Sequence, residues 1–260
     1  MENRNPPPSA RQLLTVLGLF VGFIVGMVWL LLLLVDNLVL LVPVSAEQQL
    51  GKFIVPAYER LAEPSATQDG LNQLLDGLET ELEPEFREGR DFRVLYVPEP
   101  TVNAIAIPGD RLVVYQGLLS QMGSENELVM VLGHELGHFA GRDHLRSLGR
   151  GLLLRAVVGS FVGDLSWLES AAVAVSAARF SQSQERQADE FGLELLNDYY
   201  GHVAGATDFF QGLKDKPGLG LAFFSSHPNP GDRVERLKGL IQQRGYGIGE
   251  KQPLTINNRQ

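Results

Sequence analysis

The sequence predicts an α+β protein, mainly helical, with a small antiparallel sheet and one N-terminal transmembrane helix. Three observations carry this. A run of 23 uncharged residues stands near the N-terminus. Three short runs rich in β-branched and aromatic residues lie mid-chain. Elsewhere, apolar residues recur at three- and four-residue steps.

The composition narrows the chemistry first. With 260 residues, 44% hydrophobic and 20% charged, the chain can bury a core. It has no cysteine, so thiol nucleophiles, disulfides, zinc ribbons and iron–sulfur clusters are excluded. A transition metal would have to sit on carboxylates and the five histidines. A net charge of −9 argues against a basic face for nucleic acid, so no such partner is expected.

Residues 1–12 form a polar tail, in which Pro6-Pro7-Pro8 oppose a helix. Residues 13–42 form the anchor. From Leu13 to Val35 the chain reads LLTVLGLFVGFIVGMVWLLLLLV. As a helix this spans roughly 34 Å, enough for a hydrocarbon core of about 30 Å. The apolar region of a cleaved signal is shorter, about 7–15 residues, although Val44-Ser45-Ala46 supplies a small-residue stop. An uncleaved anchor in a lipid bilayer is therefore expected. Arg4 and Arg11 precede it, whereas Asp36 and Glu47 follow it. The positive-inside rule then places residues 47–260 outside the cytoplasm, on the periplasmic side in a bacterium.

From Glu47 to about Glu83 the pattern is helical, with a break near Glu63-Pro64-Ser65. Leu71, Leu74, Leu75, Leu78 and Leu82 share one face. The period changes at Asp91. FRVLYV (92–97), NAIAI (103–107) and RLVVY (111–115) read as strands, and Pro108-Gly109-Asp110 reads as a hairpin turn. Ser124 and Glu127 form a capping box that opens a long helix reaching about Leu148. Residues 151–178 are apolar, but Arg155, Asp164 and Glu169 interrupt them. One or two packed helices are expected there rather than a second span, with Phe161 and Trp167 partly buried. A helix follows from about Ser181 to Tyr199, and another from Gly231 to Arg244.

The chemistry centres on His134-Glu135-Leu136-Gly137-His138. On a helix, positions i and i+4 share a face, so both imidazoles can reach one ion while Glu135 reaches a water on it. Chance matches to this pattern are on the order of 0.01 per chain at this composition. Gly133 and Gly137 cost the helix about 1 kcal/mol each relative to alanine. A close approach by another segment would explain them. A catalytic zinc uses three protein ligands and keeps one position open. Two third ligands stand open on the residues alone. His144 completes an H-E-x-x-H-x-x-G-x-x-H spacing through Gly141. Glu185 lies one helical turn before Asp189 on a second helix, and such an aspartate can accept the free N–H of a ligating histidine.

HELGHFAGRDH followed by ERQADEFG resembles the M48 family of zinc metallopeptidases. NAIAIPGDRLVVYQGLL (103–119) and SSHPNPGDRVERL (225–237) extend the resemblance in the family's order. It implies a zincin-like, gluzincin fold over residues 47–260 and a zinc metalloendopeptidase with one Zn²⁺ per chain. It implies His134, His138 and Glu185 as ligands. The absence of any methionine after Met130, which the three-histidine clan needs for its turn, also favours Glu185 over His144. It further implies Glu135 as general base, Asp189 as the partner of a zinc histidine, His227 facing the oxyanion, and Arg233 near the site. Asn103 and Ala104 would begin the edge strand that pairs with a peptide substrate. Family members with several spans carry some of them between the zinc helix and the third ligand. The charges at 155, 164 and 169 imply a single-anchor member instead. The function implied is hydrolysis of peptide bonds in misfolded or membrane-associated proteins, as in quality control. A catalytically silent chaperone or scaffold of the same family is the alternative.

Overall fold

The computed structural model describes residues 8–162, 180–216, 218–228 and 232–256. It divides into two compact units, residues 1–41 and 42–260. Among its described residues, the first holds a long helix, α1 (Ala10–Leu38), continued by a 3₁₀ turn (Val39–Leu41). It starts before the apolar run because Ser9 caps it. The Ser9 hydroxyl accepts the Gln12 N–H, and the Gln12 side chain accepts the Ser9 N–H at 2.9 Å. By length and composition, residues 10–41 suffice to cross a membrane, and no residue of α1 is buried.

In the second unit, α2 (Val44–Glu59) and α3 (Ala66–Glu79) precede a short helix α4 (Pro84–Arg87). Ser65 caps α3, and the leucine stripe from Leu71 to Leu82 is buried. Three strands follow: β1 (Arg93–Val97), β2 (Ala104–Ile107) and β3 (Arg111–Tyr115), in the order β1-β3-β2. The expected antiparallel sheet is a mixed one. β2 and β3 form the hairpin, with Ile107 opposite Arg111, whereas β1 runs parallel to β3 with Arg93 opposite Arg111. Gly109 and Asp110 both take positive φ in the turn, +95° and +58°. The link from β1 to β2 carries Pro98 and Pro100 and makes no tight hairpin. β3 inserts between the two strands instead.

Both faces of the sheet are covered, so its strands are almost wholly buried. Val94, Tyr96, Ala104, Ala106, Leu112 and Val114 join the main core with α3. Leu95, Val97, Ile105, Ile107 and Val113 face Ile54 and Tyr58 of α2. Alternation along each strand thus feeds two separate clusters.

A short helix, α5 (Gln116–Leu119), leads to α6 (Glu125–Ala140) and α7 (Asp143–Val162). The single helix expected to reach Leu148 is two helices. Gly141 ends α6 and Arg142 turns the chain with φ +53°, a left-handed conformation that no helix interior holds. Glu127 caps α6 by reaching the Gly123 N–H and the Ser124 hydroxyl, not the Ser124 N–H of the expected box. The first part of 151–178 is helical. The rest, with Trp167 and the Phe161 side chain, lies outside the described residues. Among the described residues, four more helices follow: α8 (Gln182–Tyr200), α9 (Asp208–Asp215), α10 (Leu221–Ser226) and α11 (Arg233–Arg244).

Candidate metal centre

The site is made where α6 crosses α8. Their approach is as close as backbones allow. A Cβ added at Gly133 would lie 2.9 Å from the Cα of Gly192, and one at Gly137 would lie 2.8 Å from the Cα of Ala188. Glycine in mid-helix is therefore explained by contact rather than by flexibility. The contact aligns two i, i+4 pairs: His134 and His138 on α6, Glu185 and Asp189 on α8.

His134, His138, Glu185 and His227 each offer one ligand atom, all within 4.8 Å of one another. The Nε2 atoms of His134 and His138 are 3.2 Å apart. Glu185 Oε1 lies 3.3 Å from His138 Nε2, and Oε2 lies 3.6 Å from His134 Nε2. His227, just after α10, brings Nδ1 to 3.2 Å from both Glu185 Oε1 and His134 Nε2. All four side chains are fully buried. Three imidazoles and a carboxylate, with no thiolate, suit a divalent cation of borderline character.

The Nδ1 atoms of the two α6 histidines also have partners. His134 Nδ1 is 3.0 Å from Asp189 Oδ1, and His138 Nδ1 is 3.0 Å from Asp143 Oδ2. Asp189 is in turn gripped by Arg233 and Arg236. Arg233 is itself buried, with its guanidinium 3.9 Å above the Phe210 ring and 3.3 Å from Glu185 Oε2. Two rings flank the histidines. Phe180 stacks on His138 at 3.8 Å and Phe223 on His227 at 4.6 Å between centroids.

Electrostatics follow burial and pairing. Burial and the nearby Arg233 push His134 down to about 3, favouring its neutral form. Burial also opposes charge on His138, but Asp143 and Glu185 outweigh it and raise that ring to about 9. Burial would raise Glu185, yet the surrounding histidines hold it well below the usual carboxylate range.

Glu135 is buried at the same place, and burial raises its carboxyl. Neither of its oxygens has a hydrogen-bond partner, nor does His227 Nε2, which lies 3.4 Å from Glu135 Oε1. Each such orphan costs about 1–3 kcal/mol. A bound ion and its water would relieve that cost, so the residues present fit a metal.

The structure places the remaining expected residues as follows. His144 is outside the donor group: its Nε2 is taken by Glu47 Oε1 at 2.7 Å. Ala104 is buried in β2, which borders the sheet among the described residues, and Asn103 precedes it with its side chain on the Ala104 N–H. Sequence reasoning did not assign Asp143, Gln184, Phe180 or Arg236 to the site. For Asp143 one signal existed, a carboxylate five residues after His138 and just beyond a glycine.

The family model described as Peptidase family M48 matches residues 64–241. The chain is 32% identical over 155 residues to "Mitochondrial metalloendopeptidase OMA1" of Arabidopsis thaliana, covering 58% of this chain and 32% of that one. It is 31% identical over 153 residues to "Metalloprotease LoiP" of Escherichia coli (strain K12), covering 55% and 60%. It is 26% identical over 211 residues to "Putative beta-barrel assembly-enhancing protease" of Vibrio cholerae, covering 72% and 43%. The matched part thus spans between about a third and three fifths of these relatives' lengths.

Proposed function

The chain belongs to peptidase family M48, and from that premise we propose that it is a membrane-anchored zinc endopeptidase acting on unfolded or membrane-associated proteins. The observation that carries the proposal is the pairing of a buried His134–His138–Glu185 donor set with an unpartnered carboxylate, Glu135, beside it. His134, His138 and Glu185 would hold one Zn²⁺. When bound there, zinc supplies Lewis acidity and makes water acidic enough to react near neutral pH.

The chain's own residues would do the rest. Glu135 takes a proton and returns it to the leaving amine, and its buried environment raises its affinity for that proton. Asp189 fixes the His134 ring through Nδ1, and Arg233 neutralises the carboxylates behind it. His227, whose Nε2 lies 3.4 Å from Glu135 Oε1, would face the developing oxyanion. The edge at Asn103 and Ala104 would add the substrate as a further strand. Backbone pairing reads little side-chain sequence, which supports action on extended, unfolded segments. Residues 13–42 would anchor the protein, and Arg4 and Arg11 would hold the N-terminus in the cytoplasm, with 47–260 outside it.

The test is metal content and casein cleavage for the wild type and Glu135→Gln. We expect about one zinc per chain in both, and cleavage reduced roughly 10²- to 10⁴-fold in the variant. Equal cleavage by the two proteins would overturn the assignment.

A further inference from the structure

Each histidine on α6 has its own carboxylate, and the two carboxylates come from different places. Asp189 lies on the helix that carries Glu185. Asp143 is the first residue of α7, directly after the left-handed Arg142. That turn folds the start of α7 back against the end of α6 and sets Asp143 Oδ2 3.0 Å from His138 Nδ1, both side chains buried. A carboxylate only accepts, so Nδ1 donates, and in the neutral ring that a metal requires the lone pair is then on Nε2. That nitrogen faces Glu185 and His134.

Asp143 is itself fixed. Its other oxygen, Oδ1, accepts from Gln184 Nε2 at 2.5 Å and from Arg146 Nη1 at 2.7 Å. Gln184 spans two tasks. Its Oε1 accepts the Ser181 N–H at 2.7 Å and caps α8, which leaves its amide N–H to reach Asp143. The start of α7 and the start of α8 are therefore joined through one carboxylate, one residue from Glu185. The Phe180 ring covers a face of His138 and offers it no acceptor.

We infer that Asp143 is the positioning residue of His138, setting its tautomer and ring orientation, and that Gln184 holds Asp143 in register with Glu185. This rests on the metal reading of the site. The competing account makes Asp143 an ordinary acidic residue at a helix start, paired with Arg146 three residues on and serving only stability.

The experiment uses the full chain in detergent, stripped of metal. Zinc affinity is measured against a chromophoric chelator, the visible spectrum with cobalt(II), and thermal unfolding without metal. Asp143→Ala should weaken zinc about 10- to 100-fold and alter the cobalt bands. Asp143→Asn should lose less, because its amide oxygen can still accept from His138 while its N–H₂ opposes the Gln184 donor. Gln184→Ala should weaken zinc with Asp143 intact, and these two variants decide the matter should Asp143→Ala fail to fold. Arg146→Ala should lower metal-free stability with a much smaller effect on zinc. If Asp143→Ala and Arg146→Ala lower stability alike and both keep wild-type zinc affinity and cobalt bands, the inference is wrong. A wild type that binds neither metal sinks the metal reading itself and this inference with it.

Discussion

Consider alanine at Gly137. The new methyl would stand 2.8 Å from Ala188 Cα and 3.1 Å from both Ala188 O and Phe191 Cβ. Comfortable carbon–carbon contact needs about 3.5–4.0 Å. Two of those neighbours are backbone, so α6 and α8 must part by roughly 1 Å. Helix propensity favours alanine by about 1 kcal/mol. Overpacking costs about 1–3 kcal/mol, and a backbone obstacle puts this case toward the upper end. The net expectation is a loss of about 1–2 kcal/mol, or roughly 2–8 °C in melting temperature. Metal binding should suffer more, because donor distances hold only within about 0.2 Å and Glu185 travels with α8. Zinc affinity should fall at least about tenfold. Gly212→Ala is the control, since Gly212 is helical with nothing within 4 Å of the added carbon. It should gain up to about 1 kcal/mol. Thermal unfolding and chelator competition on the same preparations decide it. If Gly137→Ala melts higher, as Gly212→Ala should, and keeps its zinc affinity, the close-contact explanation of these glycines is refuted.

Two further predictions concern ionisation. Burial, with Asp76 nearby, raises Glu79 to about 7, and its Oε1 has no partner. Its folded pKa exceeds its unfolded one, so the folded state loses relative stability as pH rises from about 4.5 to 7. Glu79→Gln should therefore raise the melting temperature at pH 8 but not at pH 4. The gain is about 1 kcal/mol after screening of a half-exposed side chain; an equal shift at both pH values would count against it. Glu47 is the opposite case. Burial opposes its charge, yet His144 and Arg90 prevail and hold it at about 2. Its contribution is present above about pH 4.5 and is lost as pH falls toward 2. Glu47→Gln should cost about 1–3 kcal/mol at pH 7, because buried Arg90 is left with Asp110 as its carboxylate partner and His144 loses a charged acceptor, and less in acid; a neutral substitution at pH 7 would discount the buried network.

Much of the site could be read from spacing because it is written in helical periods. His134 with His138, and Glu185 with Asp189, are local pairs whose geometry one turn of helix dictates. The leucine stripe of α3 is legible for the same reason. Strand direction was not, because alternation along β1 is the same whether its neighbour runs parallel or antiparallel. Only the β2–β3 turn carried direction locally. The break at Arg142 was hidden as well, since arginine is an ordinary helix residue and no proline marks the end. Gly141 was the one local sign of a stop, and without a break there Asp143 does not come beside His138. Glu47 shows the limit of counting charges. Read as a charge on the far side of the anchor, it is in fact a buried partner of Arg90 and His144.

The dispersion of the donors along the chain sets an order of events at birth. Residues 134 and 138 leave the ribosome early, Glu185 follows some fifty residues later, and His227 later still. Two imidazoles alone hold zinc weakly, and α6 cannot present them firmly until α8 has docked on its glycines. Such distant pairing is slow compared with local helix formation. A nascent chain halted before α8 therefore carries the hydrolytic signature without the geometry that arms it. On the proposed metal reading, metal capture would report that the polypeptide has finished folding, and the cell would be spared a half-made protease.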